Sequence, residues 1–131
     1  MNNRLILLRI AYGWGIIADA ASAVLMLFPN LFVRVMNIRL VSDTNLSFGL
    51  LYGAPLMIGW TILLWWANQK PVERKAILLL TLPVVAGYVL VEIYAIGMGW
   101  ATTLQMLPMF ISQAGMSALF VISYSVTNQP K

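Results

Sequence analysis

The sequence predicts an all-α protein, a four-transmembrane-helix up-down bundle with a short interfacial segment between its first and second spans. Three observations lead there. Hydrophobic residues make up 61% of the 131 positions and charged residues 9%, where soluble domains carry roughly 25% charged residues. With a mean hydropathy of +0.85, the chain has too few polar side chains to cover a surface in water. The charges are also clustered, leaving uncharged stretches that match the roughly 20 apolar residues of a membrane-crossing helix. Finally, no ten-residue segments of alternating hydrophobicity occur, which excludes a β-barrel.

The elements follow as parts of one domain. Residues 10–33 hold a single charge, Asp19, and the first span is placed at about residues 5–28. Arg4 and Arg9, an apolar stretch and Ala21-Ser22-Ala23 resemble a signal peptide. The apolar run continues through Val24-Leu25-Met26-Leu27-Phe28, however, so a retained helix is expected. Pro29-Asn30 ends it. The stretch 31–38, with Arg34 and Asn37 three apart among apolar residues, suits a short helix in the membrane interface or an apolar loop draped over the bundle. Ser42-Asp43-Thr44-Asn45 supplies capping residues for a second span at about 46–67, inside a charge-free stretch. The connection around Pro71, with Lys70, Glu73, Arg74 and Lys75, reads as a solvated turn. Beyond Ala76 only Glu92 is charged until Lys131. That stretch is too long for one span and divides at Gly97-Met98-Gly99-Trp100-Ala101-Thr102-Thr103. The third and fourth spans are placed at about 76–96 and 104–124.

Four spans put both termini and the Pro71 turn on one side. That side carries Arg4, Arg9, Lys70, Arg74, Lys75 and Lys131, against Arg34 and Arg39 on the other. The positive-inside rule then predicts a multi-pass protein of the cell membrane with cytoplasmic N- and C-termini. The net charge of +4 expresses this topology and membrane lipid as partner, and no nucleic acid is expected. Trp65, Trp66 and Trp100 read as interface anchors. The absence of Cys and His excludes disulfide oxidoreductases, Ser-His hydrolases, zinc proteases and His-ligated cytochromes; no metal and no cofactor is expected. Ala11, Gly15, Ala18 and Ser22 form one small-residue stripe, and Gly49 and Gly53 a GxxxG pair. Such residues let membrane helices approach closely, within the bundle or, as the lesser alternative, in a homodimer or larger membrane complex.

Asp19 and Glu92 are the informative residues, because a carboxylate near a helix centre costs about 2.5 to 3.5 kcal/mol on insertion scales. At 1.5 Å per residue, Asp19 lies about 21 Å along its span and Glu92 about 24 Å along one running the same way. Both therefore fall in the outer half. Tyr52 enters about 9 Å from the outside by the same rise, Tyr88 shares a helix face with Glu92, Gln105 sits near the outer end and Gln113 at mid-depth. The functional reading is an outer-half cavity lined by these six residues, binding and possibly transporting a small amphiphilic or cationic ligand such as an amine, a quinone or a lipid-like molecule. Two structural readings compete: a polar cross-brace bonded to Tyr and Gln, and a pairing of Asp19 with Arg34 or Arg39. At the level of function the alternatives are an accessory or scaffold subunit without chemistry of its own, and a membrane enzyme acting on a lipid or quinone with Glu92 and Asp19 as acid and base. The reading leans away from an enzyme.

Leu7-Leu8-Arg9-Ile10-Ala11-Tyr12-Gly13, opening a first span that a proline closes, resembles the start of DoxX-type small four-helix prokaryotic membrane proteins. The segment Lys70-Pro71-Val72-Glu73-Arg74-Lys75 followed by Leu78-Leu79-Leu80-Thr81 is similar to uncharacterised prokaryotic proteins of the same build. Together these cover under half of the chain. The resemblance implies a four-helix membrane fold and a link to quinone-coupled membrane oxidoreductases. Small multidrug transporters share the plan and a carboxylate in the first span, but the charge bias and second carboxylate here depart from them. Sterol-isomerase-like EXPERA proteins are similar in layout, and the missing His departs from isomerase chemistry.

Overall fold

The computed structural model describes residues 3–128; Lys131, counted above among the charges, lies outside them. Five helices follow in order: α1 (Asn3–Leu27), α2 (Pro29–Met36), α3 (Thr44–Gln69), α4 (Ala76–Gly97) and α5 (Thr103–Asn128). No strand occurs among the described residues, and α1, α3, α4 and α5 are each long and apolar enough to cross a membrane. The chain is an all-α bundle. The segment after Pro29 is a helix rather than a loop. Proline stands in its first turn, where the missing N–H has no intrahelical partner to lose. Asn37 ends it in the left-handed region at φ 50°, its N–H donating to the Arg34 carbonyl at 3.3 Å.

The long helices extend a few residues beyond their predicted ends because polar caps belong to them. Asp43 accepts the Leu46 N–H at 2.8 Å. At α5, the Thr102 N–H donates to Gln105 Oε1 at 2.7 Å while the Gln105 N–H donates to Thr102 Oγ1 at 3.3 Å. That is a reciprocal capping box, satisfying two amides that the first turn leaves without partners.

α1 is the central helix. It packs against α3 on one side and α5 on the other, and α4 packs against α5. Small residues on α1 permit this, since membrane helices associate through close backbone approach. A Cβ added at Gly15 would lie 3.0 Å from Leu64 Cδ1 of α3 and 3.2 Å from Phe120 Cζ of α5. Gly53 of α3 likewise leaves room for the Met26 methyl of α1, whereas Gly49 faces open space. The core of Leu8, Ala11, Tyr12, Leu64, Ala67, Leu78 and Phe120 fills the half of the bundle nearest the chain termini, called here the terminal end.

At that end the turn between α3 and α4 is tied down rather than loosely solvated. Tyr12, fully buried, donates its hydroxyl to the Arg74 carbonyl at 2.7 Å. The Arg74 guanidinium donates to the Trp66 carbonyl and stacks 3.4 Å above the Trp66 ring. Lys75 reaches the Thr127 carbonyl at 3.5 Å and lies over Tyr124. Aromatic faces at a helix end attract cations in this way, and the Lys70–Glu73 pair, 3.3 Å apart, lies on the exposed side. Tyr12→Phe should therefore lower stability by about 1 kcal/mol, the usual worth of one such hydrogen bond. Thermal unfolding of the purified protein reads this directly, and an unchanged midpoint would show that the bond does not hold the turn. At the opposite end, the Arg39 N–H donates to the Trp100 carbonyl at 2.8 Å, and Trp100 packs edge-on against Tyr94 with centroids 5.6 Å apart.

Candidate functional site

Asp19 stands sixteen residues into α1 and Glu92 sixteen residues into α4, so both lie about 24 Å from the terminal end of their helices. Each is buried, at 9% and 7% relative exposure. Helix register brings further groups to this level. The contacts of Trp14 with Gly115 and of Gly15 with Phe120 fix α1 against α5, which sets the turn around Gln113 level with Asp19. The contacts of Gly15 with Leu64 and of Gly53 with Met26 fix α1 against α3, which sets Trp60 level with Asp19.

Gln113 donates from Nε2 to Glu92 Oε1 at 2.7 Å. An ionised carboxylate accepts only, so the amide must present its NH2 there, which turns its carbonyl oxygen away from Glu92. Tyr88, one turn below Glu92 on α4, donates its hydroxyl to Met57 Sδ of α3 at 2.8 Å and lies within electrostatic reach of Asp19. Four buried atoms at this level make no hydrogen bond: Asp19 Oδ2, Glu92 Oε2, Gln113 Oε1 and Trp60 Nε1. Buried polar atoms are normally satisfied; Asn68 Oδ1, at the terminal end of α3, is another such atom among the described residues.

Neither carboxylate has an ion-pair partner among the described residues, where Lys70–Glu73 is the pair present. The pairing of Asp19 with Arg34 or Arg39 is thus not formed. The brace reading is met at one atom only, Glu92 Oε1. Of the six residues proposed from the sequence, Glu92 and Gln113 meet in a hydrogen bond, Asp19 stands at their level on α1, and Tyr88, 38% exposed, lies one turn below Glu92. Tyr52 does not join them: it is 74% exposed and stacks on Phe48, 5.9 Å away between centroids, on the outer surface of α3. Gln105 is engaged in the α5 capping box.

Comparison with family models, curated proteins and solved structures finds no match to this chain.

Met57 and Trp60 are the members that sequence reasoning passed over. A signal for Trp60 existed. Membrane tryptophans favour the interfaces, and a half-buried mid-span tryptophan whose N–H is covered needs a partner for it. Beside the cluster, α4 and α5 enclose a lateral groove of about 560 Å³. Leu82, Val85, Val89 and Leu90 of α4 and Phe110 of α5 make its walls apolar, and Gln113 gives it a polar point.

Proposed function

We propose that this chain is a multi-pass cell-membrane protein with cytoplasmic termini that binds a small amphiphilic or cationic ligand at the level of Asp19 and Glu92. The observation that carries the proposal is the pair of nine-tenths-buried carboxylates with no counter-cation among the described residues. Intramembrane carboxylates are costly and mark ligand or ion pathways. The groove supports an amphiphile over a bare ion, since its walls are apolar and Gln113, which lines it, also bonds Glu92.

The binding test is a thermal-shift series in lipid nanodiscs with alkylammonium ions. Anything that binds the folded state alone raises its stability by mass action, so the wild type should shift upward while Asp19→Asn and Glu92→Gln do not. A wild type indifferent to every amphiphilic cation tried would overturn the proposal in favour of an accessory subunit. The orientation rests on the Lys and Arg bias. The chain has no cysteine, so single cysteines report cleanly: in intact cells an impermeant thiol reagent should label Met98→Cys and not Gln69→Cys. The reverse pattern would invert the topology.

A further inference from the structure

α1 and α3 meet along two faces that match step for step. On α1, Gly15, Asp19 and Met26 follow at intervals of four and seven. On α3, which runs the other way, Leu64, Trp60 and Gly53 follow at the same intervals. Both spacings keep a trio on one helix face. The outer members meet: a Cβ at Gly15 would stand 3.0 Å from Leu64 Cδ1, and one at Gly53 would run into the Met26 methyl. Contacts thus bracket the middle pair on both sides, and the antiparallel register sets Asp19 opposite Trp60.

The two side chains bring opposite needs to that position. Asp19 is nine-tenths buried, and its Oδ2 is an acceptor without a donor. Trp60 Nε1 is a covered donor without an acceptor. Tyr88, within electrostatic reach of Asp19, gives its hydroxyl proton to Met57 Sδ at 2.8 Å. Inside a bilayer such groups must find partners within the protein or in something it holds. One group can serve both atoms only if it donates and accepts. An ammonium has no acceptor, and a quinone or ester oxygen has no donor. An amide divides the two roles between two atoms, whereas a hydroxyl carries both on one. The close contacts at Gly15 and Gly53 favour that smallest group. We infer that α1 and α3 hold a single hydroxyl, from water or from the head of an alcohol, which donates to Asp19 and accepts from the Trp60 indole. Buried water commonly bonds otherwise unmet polar groups in this way, and an alcohol head offers the same oxygen. The site belongs to the α1–α3 side of the level and does not depend on what binds at Glu92.

NMR of the full chain tests this, with isotope-labelled tryptophan in nanodiscs of phosphatidylcholine, a lipid without a hydroxyl. Of the five tryptophan indole signals, the one lost in Trp60→Phe belongs to Trp60. Should that variant fail to assemble, phenylalanine replacements of Trp14, Trp65, Trp66 and Trp100 assign it by elimination. The Trp60 indole proton should lie at a downfield, hydrogen-bonded position. It should also show a dipolar cross-peak, opposite in sign to chemical exchange, with water or, after addition of octanol, with the alcohol's alkyl protons. A water cross-peak that persists in octanol identifies water as the source, and its replacement by the octanol cross-peak identifies an alcohol. In Asp19→Leu, or in Asp19→Ala if the larger side chain does not assemble, the cross-peak should vanish and the signal move upfield. A Trp60 proton with neither cross-peak would overturn the inference: the indole then meets the carboxylate directly if its signal moves in Asp19→Leu, and meets nothing if it does not. A cross-peak unchanged in both Asp19 variants would overturn it as well, since the hydroxyl would then owe nothing to the carboxylate.

Discussion

Glu92→Gln and Asp19→Asn should each give a bundle that melts no lower than the wild type and yet gains nothing from an amphiphilic cation. The first half of that result follows from solvation. A carboxylate near the middle of a span costs about 2.5 to 3.5 kcal/mol on insertion scales, and an amide of the same size carries no charge to desolvate. The glutamine at position 92 can still accept from Gln113, whose Nε2 now reaches Glu92 Oε1 at 2.7 Å, so no bond is broken to offset the gain. The second half follows from linkage. A ligand present at a hundred times its dissociation constant adds about 2.7 kcal/mol of stability, and the variants forfeit all of it. Stability and ligand response therefore move apart. A purely structural role for these residues would not produce that separation. If both variants melt several degrees lower and keep the ligand response, the carboxylates are braces.

Gly15→Leu should be the most damaging single substitution in the helix packing. The Cβ alone would stand 3.0 Å from Leu64 and 3.2 Å from Phe120, and both of those side chains are fully buried in the core. Neither has an empty direction to turn into, so α3 and α5 must move away from α1 together. Overpacking of a filled core costs typically 1–3 kcal/mol. With two helices displaced at once, a loss of about 3 kcal/mol is expected, at the top of that range. Gly49→Leu is the matched control, because nothing lies within 4 Å of a Cβ there and leucine is the better helix former by up to about 1 kcal/mol. Thermal or denaturant unfolding of both variants gives the comparison, and equal midpoints would refute the view of α1 as the tightly gripped central helix.

The long helices were legible because charge and length act on each segment separately. The gaps around Asp19 and Glu92, the Asp43 cap and the break at Gly97 to Thr103 all show in the linear chain. The depth of the two carboxylates was legible for the same reason: rise per residue alone put Asp19 and Glu92 at nearly one level. Direction around the helix axis was not. α3 is apolar on all sides, so nothing in its sequence says which face meets α1. Tyr52 was placed by depth and turned out to point away from the bundle, whereas Trp60 and Met57 point inward. Gln105 was a different kind of miss. Thr102 and Gln105 stand at the spacing of a capping box, and that local pattern outranks depth when a glutamine sits three residues after a threonine at a helix start.

The order of packing has a consequence for biogenesis. α3 and α4 are consecutive in the chain, yet α4 finds its helix partner in α5 and α3 finds its own in α1. As the ribosome delivers the chain from the N-terminus, α1 and α3 can dock while the rest is still being made. Glu92 of α4 meets its hydrogen-bond donor only when α5, which carries Gln113, packs beside it. The Glu92–Gln113 bond therefore belongs to the pairing of α4 with α5 and not to that of α1 with α3.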